Sequence, residues 1–149
     1  MRLTRKTART VAATAVALTL AGVSAPAALA GAGGVPAIPL NTEQEVTGSD
    51  TGASGFFTYE ISGGELCYTL EARGLSVGAT AAHIHLGDRN QAGGVVVPLA
   101  VGSGTDWTVS ACTAPDAATL AAIAASPRDY YVNVHTPTFP GGEIRGQLK

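Results

Sequence analysis

The sequence predicts an all-β domain, an antiparallel Greek-key-like β-sandwich with one short crossover helix, and three observations lead there. Short runs rich in β-branched and aromatic residues recur at regular spacing, separated by glycine, as in sandwiches and barrels. In the run Glu65–Ala72, Leu66, Tyr68 and Leu70 share one face while Cys67, Thr69 and Glu71 share the other. That is the period-two signature of a half-buried strand. Only one segment departs from this pattern: Ala117, Leu120, Ile123 and Ala124 recur at helical spacing between Pro115-Asp116 and Ser126-Pro127, which supply a start and a stop.

The elements follow in order. Ala37–Val46 is the first, with Pro39 marking a sheet edge or strand start. Thr47–Ser54 is a turn-rich loop, and Gly55–Ser62, Glu65–Ala72, Ala81–Leu86, Val95–Val101 and Asp106–Ala111 are strands. The helix runs about three turns, its alanines packing against the sheet. Two last strands, Asp129–His135 and Gly142–Leu148, are joined by a loop whose Pro140-Gly141 suits the centre of a type II turn. Matching apolar residues sets this hairpin's register: Val134 opposite Ile144, Val132 opposite Gly146, Tyr130 opposite Leu148. The other face then pairs His135 with Glu143, Asn133 with Arg145 and Tyr131 with Gln147, so that Asn133, Glu143 and Arg145 form a structural polar row.

Ahead of this domain stands an export signal. Arg2, Arg5, Lys6 and Arg9 give a basic start, Val11 to Val23 an uncharged Ala/Val/Leu-rich stretch, and Ala28-Leu29-Ala30 a small-residue cleavage site. The apolar stretch is broken by threonines and followed by Gly22, Ser24 and Pro26, short of the ~20 residues a membrane span requires. The expected organisation is a signal peptide over 1–30, a flexible leader over 31–36 and one β-domain over 37–149, secreted and extracellular with no membrane attachment after cleavage. Cleavage removes four of nine basic residues and none of eleven acidic ones, leaving five against eleven and a net charge of −6. Such a surface cannot neutralise a run of phosphates, which excludes nucleic acid as a partner. Cys67 and Cys112 both lie in the exported part, where an even pair forms a disulfide.

Chemistry concentrates in the chain's three histidines. His83 and His85 flank Ile84 in a strand, so alternation puts both imidazoles on one face, and His135 points away from the apolar face of its own strand. If the two strands are neighbours, three imidazoles converge on a site suited to copper or zinc, with Asp88 and Glu143 the nearest carboxylates to complete it. The bland alternative is structural hydrogen bonding, His135 to Glu143 among others. No G-x-S-x-G elbow, phosphate loop or H-E-x-x-H helix is present, no pair of glutamates stands out, and no catalytic residue is assigned. Trp107, Tyr130 and Tyr131 are expected in the core and at its rim.

The segments Ala82-His83-Ile84-His85-Leu86-Gly87, Val95-Val96-Val97-Pro98-Leu99, Tyr131-Val132-Asn133-Val134-His135-Thr136 and Pro140-Gly141-Gly142-Glu143-Ile144-Arg145-Gly146-Gln147-Leu148 resemble the chordin-type, or CHRD, domain over about Ile38 to Leu148. The resemblance implies an exported β-domain without assigned enzymatic activity and requiring no cofactor. It would act as a binding or structural module toward an extracellular protein or polymer. The His-x-His strand is also similar to that of copper/zinc superoxide dismutases, but this chain lacks the further histidines of a bridged zinc site and a fourth imidazole for copper. The complete dismutase centre cannot be built here, which leaves copper or zinc binding as the alternative function.

Overall fold

A computed structural model describes residues 37–149. The expected signal peptide and leader, residues 1–30 and 31–36, lie outside the described residues. Eight strands form one antiparallel sheet: β1 (Ile38–Asn41), β2 (Ser54–Ser62), β3 (Glu65–Arg73), β4 (Ala81–Leu86), β5 (Val95–Leu99), β6 (Trp107–Thr113), β7 (Tyr130–His135) and β8 (Ile144–Gln147). Their spatial order is β5-β4-β7-β8-β1-β2-β3-β6. The connections β3–β4, β5–β6 and β6–β7 cross from one half of this order to the other, a Greek-key-like path around a shared core. That core draws Phe57, Leu66 and Leu70 from one half and Ile84, Val97, Val132 and Ile144 from the other, all essentially inaccessible. Across it the amide of Ala100, just past β5, donates to the Tyr68 hydroxyl on β3 at 2.7 Å.

Alternation fixes most of the registers. In β3, Leu66, Tyr68, Leu70 and Ala72 are buried while Cys67, Thr69 and Glu71 face outward. Cys67 lies directly opposite Cys112 on β6, and the two are bonded. The β7–β8 ladder pairs Tyr131 with Gln147, Val132 with Gly146, Asn133 with Arg145 and Val134 with Ile144, the register read from the sequence. Where β1 meets β8, a Cβ on Gly146 would stand 2.6 Å from the Pro39 carbonyl oxygen. Glycine is therefore what lets the first and last strands approach.

Three local expectations need correcting. The first element is not extended to Val46: Asn41 accepts from the Gln44 amide at 3.2 Å and caps a 3-10 turn over Thr42–Gln44. The hairpin turn is closed by the Gly142 amide on the Phe139 carbonyl at 3.0 Å. The left-handed φ that a type II turn demands at Gly141 falls instead on Gly142, at 128°. The helix α1 (Ala117–Ala125), capped by the Asp116 carboxylate on the Thr119 amide, docks through Leu120 and Ile123, and its alanines face outward. Leu120 and Ile123 alone occupy the buried side of this short helix, and the alanines fall on the rest of its circumference.

The two halves treat their outer faces differently. On β2, β3 and β6 that face meets solvent, as Phe56, Thr108 and Ser110 show. On β4, β7 and β8 it is covered by three loops: residues 45–53, 74–80 and 87–94. Every residue of β7 is buried, the polar Asn133 and His135 included. His85 and His135 lie beneath this cover, and His83 lies half-buried at its edge.

Candidate metal centre

β4 and β7 are hydrogen-bonded neighbours, with Ala81 opposite His135, His83 opposite Asn133 and His85 opposite Tyr131. Ala82 and Ile84 turn into the core, so His83 and His85 are forced outward onto the face that also carries His135. Their ring centroids stand 4.9 Å (His83–His135), 5.4 Å (His83–His85) and 5.6 Å (His85–His135) apart. One nitrogen from each ring lies within 4.8 Å of the other two. A tetrahedral ion with bonds of ~2.0–2.1 Å requires ligand atoms about 3.4 Å apart.

Tautomers are dictated by the surroundings. The ring Nδ1 of His85 stands 2.9 Å from the Gly93 carbonyl oxygen, and that of His135 stands 3.0 Å from the Pro140 carbonyl oxygen. Carbonyl oxygens only accept, so both Nδ1 atoms carry the proton and both Nε2 atoms present a lone pair. The Nε2 of His135 accepts from His83 Nδ1 at 3.0 Å. The Nε2 of His85 is buried without any hydrogen-bond partner. All three imidazoles are held below the usual histidine pKa: burial leads in each case, joined at His83 by the neighbouring His85 and at His135 by both other rings. Neutral rings are what metal ligation needs.

Around the histidines the loops are tied down by polar side chains from β7 and β8. Arg145, inaccessible to solvent, donates from Nη1 to the Gln91 carbonyl at 2.6 Å and from Nη2 to the Asp88 carbonyl. Its guanidinium lies 3.2 Å from the centroid of Tyr131, whose ring in turn stacks on His85 at 4.9 Å and 9°. The Tyr131 hydroxyl accepts from the Gly93 amide at 3.0 Å, so one glycine is gripped by the ring of Tyr131 and by His85 together. A Cβ at Gly93 would fall inside the Leu86 carbonyl group, which leaves no room for a side chain there. Gln147 adds a bond to the Gly87 carbonyl at 2.8 Å.

Glu143 does not pair with His135. Its carboxylate accepts from the Ser76 amide (2.7 Å), the Ser76 hydroxyl (2.8 Å), Thr51 (2.9 Å) and Thr136 (2.7 Å). Burial alone would raise its pKa, but these donors together hold it below the usual carboxylate range. Glu143 is thus a clasp joining two covering loops to the hairpin, and neither it nor the Asp88 side chain belongs to the histidine cluster. Asn133 and Arg145 do face each other across β7 and β8. Glu45 escaped notice in the sequence, because nothing in its local pattern marks it as buried. Its pKa is pushed up to about 7 by burial, against the opposing effects of Arg145, Asn133 and the Val46 amide. A side chain at Gly142 would strike both the Glu45 carboxyl and the Asn133 amide, at 2.5 Å each.

Among the described residues no helix is long and apolar enough to cross a membrane. Compared with known proteins, the CHRD domain matches over residues 37–148, the whole described domain but Lys149. No curated protein and no solved structure matches the chain.

Proposed function

Because the chain belongs to the CHRD domain family, we propose that it is a secreted, non-catalytic binding module whose ligand is a divalent copper or zinc ion held by His83, His85 and His135. One observation carries the reading: two of the three imidazoles have their Nδ1 protons engaged by backbone carbonyls, which aims their Nε2 lone pairs into a common space. Outer partners of this kind orient ligating histidines and raise their basicity. Imidazole suits both metals, and copper(II) is the tighter binder in the usual order of divalent ions. The Cys67–Cys112 bond and the export signal support an oxidising compartment, where such an ion would be met.

A macromolecular partner has less behind it. Phe56 is 50% exposed on β2, while Leu86 and Val95, at 51% and 54%, stand on β4 and β5 in the opposite half of the sheet, so they do not merge into one apolar patch.

Calorimetric titration of Cu²⁺ and Zn²⁺ into metal-free protein and into His85→Ala tests the proposal. The expected outcome is one equivalent bound by the natural sequence and loss of that heat in the variant; indistinguishable heats would overturn it. Since all three histidine pKa values are lowered, binding should persist when the titration is repeated below pH 6.5. Loss of binding with a midpoint above 6.5 would contradict the neutral-imidazole site.

A further inference from the structure

We propose that the side-chain oxygen of Asn133 is the fourth ligand of the histidine centre and sets its preference for an oxidised, divalent ion. The inference rests on the metal-binding reading and deepens it.

Asn133 is 1% exposed, faces His83 directly across the β4–β7 ladder, and shares the outer face with all three histidines. Its amide orientation is not free. Nδ2 donates to the Gly141 carbonyl at 3.3 Å, and turning the amide over would set two carbonyl oxygens against each other. Oδ1 is thereby directed the other way, and it is buried without a partner. Hydrogen bonding from Asn133 favours the charged form of His85, which puts the amide oxygen within reach of that ring, yet with the ring neutral neither Nε2 nor Oδ1 has a partner. The reason is the tautomer: with its proton committed to Gly93, His85 Nε2 has none to offer.

Two buried acceptors, His85 Nε2 and Asn133 Oδ1, are therefore left without a donor in one small region, each at the cost of an unsatisfied polar group. A cation between them satisfies both at once. Once the His83 proton moves from Nδ1 to Nε2, the His83 Nδ1 and His135 Nε2 lone pairs that now share it are both free, and the set becomes three nitrogens and one amide oxygen, a four-coordinate shell of ordinary size. Carbonyl oxygen is a hard donor and contributes far more to Cu²⁺ or Zn²⁺ than to soft Cu⁺, which is content with imidazoles.

The test uses purified metal-free protein, the variants His85→Ala, Asn133→Ala and Asn133→Asp, and the ions Cu²⁺, Zn²⁺ and Cu⁺ in competition titrations, with the electron paramagnetic resonance spectrum of the Cu²⁺ form. Asn133→Ala is expected to weaken Cu²⁺ and Zn²⁺ about ten- to a hundredfold while leaving Cu⁺ within about twofold. Asn133→Asp should keep Cu²⁺ bound with a shifted spectrum, because an anionic oxygen replaces a neutral one. If Asn133→Ala fails to fold, the Asp variant decides alone, an unchanged spectrum overturning the inference. Equal weakening of all three ions by Asn133→Ala, or of none, would also overturn it while leaving the histidine site standing. Wild-type binding by His85→Ala would instead remove the metal-binding reading itself.

Discussion

The two halves of the sheet have the same inner face and opposite outer ones. On β2, β3 and β6 the outward residues meet water, and the half is held by apolar alternation and one cross-strand disulfide. On β4, β7 and β8 the outward residues are buried a second time under loops, held by charged and polar groups: Arg145 on two carbonyls, Glu143 on four donors, His85 and Tyr131 on Gly93. Alternation therefore tells which residues leave the core, but not whether they reach solvent. Where loops cover them, polar side chains turn from surface into apparatus.

Three measurements sharpen that contrast. Replacing Cys67 and Cys112 by serine should cost most, about 4 kcal/mol on loop-closure grounds for a sequence separation of 45, read as a lowered denaturant midpoint. A loss under about 1 kcal/mol would show that β3 and β6 hold together without the staple. In the covered half the readout is pH. Glu45 has a folded pKa of about 7 against an ordinary 4.5, so the folded state retains a proton the unfolded chain has lost. Its contribution is full below pH 4.5 and is lost as the pH rises through 7, an effect of up to about 3 kcal/mol. The histidines act in the opposite sense: their lowered pKa values make stability fall as pH drops below 6.5. Thermal melts of Glu45→Gln should accordingly gain stability relative to the natural sequence as the pH rises from 4.5 to 7, while both proteins keep the histidine-driven fall below 6.5; a difference that does not change with pH would mean that Glu45 ionises freely. Smallest is Phe56→Ser on the solvated face, expected within about 0.5 kcal/mol because half the ring is already in water. A larger loss would mean that this face is also covered.

How much of this was legible beforehand depended on the range of the signal. The strands, the disulfide partners' shared outward face and the β7–β8 register follow from neighbours two residues apart or one short hairpin away, and period two carries that information. The outward placement of His83, His85 and His135 follows in the same way. Their convergence was conditional on β4 pairing with β7, which no local pattern states. Glu143 misled for a related reason. Hairpin register set it opposite His135, while its partners Ser76 and Thr51 come from loops 67 and 92 residues away in sequence. Glu45 gave no signal at all, since a glutamate leaving a 3-10 turn ordinarily faces water.

The close approach at Gly146 carries a consequence for timing. β8, the last strand to be synthesised, lies at the middle of the sheet between β7 and β1, the first strand of the domain. The strands β5, β4, β7 and β8 share ladder hydrogen bonds with β1, β2, β3 and β6 only along this seam. A chain whose β8 has yet to be made thus has no complete sheet to form, and its contacts are those of slow, high-contact-order assembly. The seam can close only once β8 has been made.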